Sequence, residues 1–224
     1  MIKLFFISIL LLMQNLSLAQ EQPTIIYIGD PMCSWCYGFA PELSKTIDHF
    51  DNKANLRLVM GGLRPYNDEH IDTMKDFLTD HWKHVHEASG QYFDYGILDD
   101  PDFIYDTEPP SRAVLVVRHM KPEVEMNFFK DVQEMFYAKN QHTDRAENYY
   151  PLLDKYELDR AVFVKSFNSD EMKSLIKQDF SSASEMNIRG FPSMVLFQDG
   201  KYTLLSNGYS KSEVLIEKIE KLIE

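Results

Sequence analysis

The earliest strand-like pattern is Pro23-Thr24-Ile25-Ile26-Tyr27-Ile28, a β-branched run closed by Gly29-Asp30-Pro31. Leu43, Ile47 and Phe50 then share one face of a helix predicted over 41–50. Asn55–Met60 alternates and stops at Gly61-Gly62, which predicts a second strand. Strand, helix, strand in this order predicts a parallel pair with a right-handed crossover. The next hundred-odd residues read as helical. One helix is predicted over 68–87, and another opens at Pro110-Ser111 and runs to about Met120. A third, over 123–139, carries Val124, Phe128, Val132, Met135 and Phe136 on one stripe. Asp144 with Glu147 resembles a capping box for a helix through Tyr156. Asp159 is placed to cap 160–167, and Ser169 a helix ending near 185. Strand character returns only at 193–197, where Asp199-Gly200 signals a hairpin into a strand over 202–206. A helix over 211–223, apolar at Val214, Leu215, Ile219, Leu222 and Ile223, ends the pattern. The chain thus reads as βαβ, a helical block, then ββα: an α/β fold with one mixed central sheet, helices on both faces and a large helical insertion. The expected division is 20–64 for the first half of the core, 65–184 for the insertion and 185–224 for the second half.

The N-terminal residues add an address. Met1-Ile2-Lys3 is a short positive start, an apolar run follows to Met13, and Ser17-Leu18-Ala19 supplies small residues for cleavage. The apolar run is about ten residues, too short for a bilayer span of roughly twenty. Residues 1–19 therefore read as a signal peptide, with a periplasmic or secreted mature chain and no membrane insertion after its removal. Over the 224 residues, hydrophobic types make up 44%, enough for a core that needs no disulfide scaffold. The formal charge is −12. With no basic stripe to neutralise phosphates, nucleic acid is not an expected partner.

Export changes how the two cysteines read. Cys33 and Cys36 are separated only by Ser34 and Trp35. A bridge over so small a loop restrains the unfolded chain little, so a stapling role is weak. Redox chemistry or metal binding remains. Cys33 falls after a strand and turn, at a predicted helix start, where unpaired N–H groups and the helix dipole favour a thiolate, the nucleophile of disulfide exchange. Cys36 lies one turn deeper on the same face, so Cys33 is expected to attack and Cys36 to resolve. Ser34 and Trp35 would tune the pair. Asp30 either relays a proton to Cys36 or caps the turn at Pro31. A zinc site would need two further ligands, and no second CxxC exists. Arg189-Gly190-Phe191-Pro192-Ser193 directly before a strand suggests a tight turn, with either a trans or a cis Phe191–Pro192 bond.

A strand, a CxxC at a helix start and a Gly-Phe-Pro before the penultimate strand resemble thioredoxin-fold oxidoreductases, and the helical insertion resembles their DsbA-like group. The segments 29–39 (GDPMCSWCYGF), 61–65 (GGLRP), 108–113 (EPPSRA) and 189–192 (RGFP) look like the FrnE-like branch of predicted protein-disulfide isomerases. The resemblance runs over nearly all of residues 20–224. It implies that Cys33 and Cys36 are the redox pair and that Pro192 is the cis-proline facing it. It also implies that Phe191 offers backbone groups to an extended substrate segment. No organic cofactor is implied; the redox group is the Cys33–Cys36 disulfide itself. The partners would be exported proteins with cysteines and an unidentified redox partner that resets the pair. Ser34-Trp35 departs from the Pro-His and Gly-Pro of well-studied members, which leaves the direction of exchange open.

Other features read more plainly. His81, His84 and Glu87 follow one another at helical spacing as a solvated face or a metal face. Tyr92, Phe93, Tyr95 and Phe103 either rim a groove or pack the insertion. Arg64 and Arg112 sit in the resembling segments without an evident catalytic role. Three rival functions are a glutathione-dependent small-molecule isomerase, a copper-binding chaperone, and a peptide binder with an incidental cysteine pair. The isomerase branch typically has Ser at the first Cys position, against which Cys33 stands.

Overall fold

The computed structural model describes residues 22–223, so the signal-peptide reading of 1–19 lies outside the described residues. Four strands, β1 (Thr24–Gly29), β2 (Asn55–Met60), β3 (Ser193–Gln198) and β4 (Lys201–Asn207), form one sheet in the order β2-β1-β3-β4. β1 and β2 are parallel, while β3 is antiparallel to both β1 and β4. This is the mixed sheet that the sequence implies. The hairpin turns on Asp199 and Gly200, both at positive φ, the geometry that an Asp-Gly pair tolerates.

Eight α-helices accompany it among the described residues: α1 (Ser34–His49), α2 (Lys75–Ser89), α3 (Glu108–Met120), α4 (Glu125–Tyr137), α5 (Tyr150–Lys155), α6 (Arg160–Phe167), α7 (Asp170–Glu185) and α8 (Ser212–Ile223). Strand alternation splits the sheet residues between two cores. Ile25, Tyr27, Leu58, Met60, Met194 and Leu196 face Phe39 and Leu43 of α1, Leu215 and Ile219 of α8, and helices of the insertion. Ile26, Ile28, Val59 and Val195 face Ala183 of α7 and Ile188 behind it. α7, within the stretch expected as insertion, therefore supplies the layer on the opposite face of the sheet. A third core gathers Trp82, Phe93, Phe103, Tyr105, Phe136 and Tyr137 of the insertion around Met32 and Tyr37, on either side of the cysteine pair. Phe93 and Phe103 are thus packing residues, whereas Tyr92 is exposed.

Several boundaries differ from the sequence reading. α1 begins at Ser34, at the helix start expected beside Cys33, and so extends the apolar face read over 41–50 back through Pro41. Pro41 has no N–H for the carbonyl of Tyr37, and Gln91 Nε2 donates to that oxygen instead at 3.1 Å. α2 starts at Lys75, after a 3-10 turn over Ile71–Met74, not at 68. α3 starts two residues before Pro110, with both prolines in the first turn, where a missing N–H costs nothing. The Asp144–Glu147 box does not form. The cap sits one residue later, where Arg145 N donates to Asn148 Oδ1 at 3.1 Å before a 3-10 turn. Asp159 and Ser169 do cap α6 and α7, accepting from Val162 N and Met172 N. Glu42 of α1 serves α8 in the same way, its Oε2 accepting from Ser212 N at 3.0 Å.

β2 is an edge strand, and such edges carry unpaired backbone groups. Here side chains from the helices cover them. Asp179 of α7 accepts from Met60 N at 3.1 Å, and Arg118 of α3 donates to Leu58 O at 2.9 Å. Arg118 also pairs with Asp179 and with Glu125 of α4, so one guanidinium joins β2, α3, α4 and α7. Arg112, one of the motif arginines, has a similar duty. It makes two bonds to Glu108, at 2.7 and 2.9 Å, donates to Phe167 O and lies over the Phe167 ring. No helix among the described residues is long and apolar enough to cross a membrane.

Arg112 and Glu108 are both buried, and removing one partner of such a pair leaves a charge stranded. Arg112→Met is expected to lower stability by about 3–5 kcal/mol in urea unfolding, and Arg112→Met with Glu108→Leu to recover most of that. Equal losses for the single and double variants would show that packing, rather than the pairing, is what counts.

Candidate functional site

Both cysteines stand where β1 ends and α1 begins. Cys33 is the N-cap of α1, in extended conformation, and its sulfur accepts from Cys36 N at 3.3 Å. This differs slightly from the expectation: the sulfur caps the helix from just outside it. An N-cap side chain receives the free N–H groups of the first turn, so negative charge on that sulfur would meet both a donor and the helix dipole. The Cys33 thiol also lies 3.6 Å from the carbonyl oxygen of Phe191. Cys33 is 5% exposed and Cys36 fully buried, and both are free thiols. Only the first sulfur is near the surface.

The Phe191–Pro192 bond is cis. Ser193 Oγ donates to Gly190 O at 2.8 Å, and Gly208 N donates to Pro192 O at 2.7 Å, which fixes the turn against β4. Gly61, just past β2, makes room for the Phe191 ring. A Cβ there would come within 2.2 Å of it. The sequence-predicted residues Cys33, Cys36, Phe191 and Pro192 thus meet across the ends of β1 and β3.

Asp30 is fully buried and makes two bonds with backbone N–H groups. Met32 N donates to its Oδ1 and Leu63 N to its Oδ2, each at 2.8 Å. The first closes the turn before Cys33, and the second ties that turn to the segment after β2. Burial pushes the carboxyl up from 3.8 to about 6, against the pull of the bonds from Leu63, Met32 and Thr107. Cys36 is pushed up as well, first by burial and then by the Cys33 thiol beside it, while the Asp30 backbone and Tyr27 pull the other way.

Ser34 is buried, and Trp35 is half-buried with its ring near Tyr209 and edge-on to His81, at 5.9 and 6.3 Å. His81 stacks on the exposed Phe77. It is therefore a wall beside Trp35 rather than a solvated or ligating residue, and burial lowers its pKa, with His84 adding to the effect. Among the described residues no group of three His, Cys, Asp or Glu side chains is arranged to hold a metal ion. Arg64 pairs with Glu69, and its backbone N donates to Thr107 Oγ1. Sequence reasoning missed the three buried phenols around the pair, Tyr27, Tyr105 and Tyr137. Tyr105 donates to Met32 O at 2.8 Å. Nothing in the local pattern of Tyr105 or Tyr137 marks them; Tyr27 carried a signal only in its position on β1, just upstream of the pair.

For Asp30, a raised carboxyl means that the folded chain holds its proton more tightly than the unfolded chain. Below about pH 4 the group is neutral in both states and costs nothing; as pH rises through 6 the buried charge weighs against folding. Relative to Asp30→Asn, the wild type is expected to lose about 3 kcal/mol between about pH 4 and pH 6, and nothing further above it. Urea unfolding of both proteins at stepped pH checks this, and parallel profiles would refute it.

The thioredoxin family model matches residues 121–216. The crystal structure of a candidate protein disulfide isomerase from Nitrosomonas europaea superposes with a TM-score of 0.84 and 30% identity, over 91% of this chain and 98% of that one. The cytosolic disulfide reductase DsbM from Pseudomonas aeruginosa superposes with a TM-score of 0.75 at 20% identity, covering 89% and 98%. The ClpXP adapter protein SpxH from Halalkalibacterium halodurans is 23% identical over 188 residues, which are 80% of this chain and 60% of that relative's length. Sheet, insertion, cysteine pair and the 30% identity agree: the fold is DsbA-like, and the chain belongs to the thioredoxin-fold family of the candidate disulfide isomerase, as a thiol–disulfide oxidoreductase.

Proposed function

We propose that the chain is exported and exchanges disulfides with cysteine-bearing polypeptides, Cys33 attacking and Cys36 resolving. The observation that carries this reading is the position of the Cys33 sulfur. It caps α1, accepts from Cys36 N and lies beside the Phe191 carbonyl, nearer the surface than its partner. In the oxidising direction, a substrate thiolate would attack the Cys33 sulfur of the Cys33–Cys36 disulfide and release Cys36. The substrate's second thiolate then displaces Cys33, so two electrons and two protons pass from substrate to the pair. In the reducing direction Cys33 attacks a substrate disulfide first, and Cys36 frees the enzyme. Two features favour a polypeptide as substrate. The Phe191 backbone carbonyl stands beside the sulfur, where an extended segment would pair with it, and Trp35, His81 and Phe77 line an apolar rim next to it.

The likeness to a cytosolic disulfide reductase supports a second reading, in which the same pair works inside the cell as a reductase. Fractionation of the producing cells separates the two, since the exported form would lack residues 1–19.

In the Cys36→Ser variant, mixed disulfides with cysteine-bearing polypeptides are expected to accumulate on Cys33 and to disappear on reduction. They should be absent from Cys33→Ser, which is expected to lose turnover of a scrambled disulfide substrate down to the uncatalysed rate. Non-reducing gels with mass spectrometry read the adducts. Adducts formed equally by the Cys33→Ser protein would remove Cys33 from the attacking role.

A further inference from the structure

β1 brings one more group to the sulfurs. Tyr27 lies on the face of the sheet that α1 covers, and its ring packs between Phe39 at 6.1 Å and Phe129 at 5.9 Å. Two residues on, on the same side of the strand, stands Gly29. A Cβ there would come within 2.7 Å of the Tyr27 hydroxyl. Glycine at 29 is therefore what lets the phenol lie along the strand toward its C-terminal end, where the first turn of α1 carries Cys36. Tyr27 is fully buried, yet its hydroxyl has no aligned hydrogen-bond partner. The side chain it reaches is Cys36, which is also fully buried.

A buried hydroxyl without a partner is costly, and proteins seldom leave one so. A neutral thiol accepts a hydrogen bond weakly, whereas a charged sulfur accepts strongly. The Tyr27 hydroxyl is thus poorly matched to the dithiol and well matched to a Cys36 thiolate. We propose that Tyr27 is a positioning residue for the second half of the exchange, donating its O–H to the Cys36 sulfur as that sulfur becomes a thiolate and holding it toward Cys33. The inference rests on the exchange reading above and assigns its slow, buried partner a specific donor.

The step balances without an added oxidant. Cys36 gives up its proton, and its sulfur attacks the Cys33 sulfur of a Cys33–substrate disulfide. The bond to the substrate breaks, and the departing thiolate takes up a proton. Tyr27 keeps its own proton throughout, because burial and then the neighbouring Cys36, Cys33 and Asp30 charges all disfavour a phenolate. It is a donor, not a base. The other donor facing Cys36 is the Asp30 backbone N–H, while the Cys33 thiol opposes ionisation.

The test is Tyr27→Phe, which keeps the ring packing and removes only the hydroxyl. Protein carrying glutathione on Cys33 is prepared by exposing the dithiol to oxidised glutathione, and its lifetime is followed by mass spectrometry. Resolution is expected to slow by about tenfold in Tyr27→Phe, while alkylation of Cys33 proceeds at the wild-type rate. In a Cys33→Ser background, the midpoint of pH-dependent Cys36 alkylation should rise by about one unit on the same substitution. Difluorotyrosine at position 27, a stronger donor of nearly the same shape, should move that midpoint down, an opposite sign that altered packing would not produce. It also serves should the phenylalanine variant fail to fold. Resolution at the wild-type rate, or a midpoint that neither substitution moves, overturns the inference and leaves the exchange reading intact. A Cys36→Ser protein that forms no adduct on Cys33 overturns both.

Discussion

One buried carboxylate holds the redox end of the molecule together. Asp30 follows the last residue of β1, and its two oxygens take the N–H of Met32 and the N–H of Leu63. The first bond shapes the turn that delivers Cys33 to the N-cap of α1. The second fastens that turn to the segment that leaves β2, where Gly61 receives the Phe191 ring. The tie adds to the backbone bond from Gly61 N to Gly29 O at 2.7 Å, and together they hold the ends of β1 and β2 beside the Cys33 sulfur. The cost is a carboxylate kept out of water, which raises its pKa to about 6. Two well-aligned backbone donors offset part of that cost, the usual condition for burying a charge.

The surroundings of the pair are consistently unfriendly to extra negative charge. Tyr27, Tyr105 and Tyr137 are all buried near the sulfurs and Asp30, and burial first, then the neighbouring acids, holds each phenol protonated. The first turn of α1 supplies an N–H to the Cys33 sulfur. Cys36 is enclosed, so its ionisation is tied to the exchange itself. This asymmetry follows from position alone: one cysteine caps the helix, and the other lies inside it.

Much of this was legible in the sequence. The strands announce themselves by a β-branched run at Thr24–Gly29, by alternation at Asn55–Met60 and by an apolar run before Asp-Gly at Ser193–Gln198, and Asp159 and Ser169 by their capping chemistry. CxxC at a helix start marked one side of the site by its spacing, whereas Gly-Phe-Pro was placed opposite it only by the resemblance to thioredoxin-fold oxidoreductases. What was not legible depended on partners distant in the chain. No local signal shows how α1 passes through Pro41, whose lost hydrogen bond is made good by Gln91, fifty residues on. The box read at Asp144 and Glu147 forms instead at Arg145 and Asn148, before a 3-10 turn that local pattern does not announce. His81 read as a solvated face because Trp35 and Phe77, which enclose it, meet it only in the fold. The buried phenols escaped for the same reason. Tyrosine in an apolar stripe looks like packing until the chain brings its hydroxyl to a sulfur.

The most direct test of the account is a redox titration of the Cys33–Cys36 pair in glutathione buffers, followed by Trp35 fluorescence and by thiol alkylation with mass spectrometry. The account predicts a single two-electron transition within the range of known exchange enzymes, from about −120 to about −270 mV, with both thiols oxidised together. A pair that stays reduced or stays oxidised in every buffer, with no adduct and no change in Trp35, would contradict the claim that this helix start is a working disulfide.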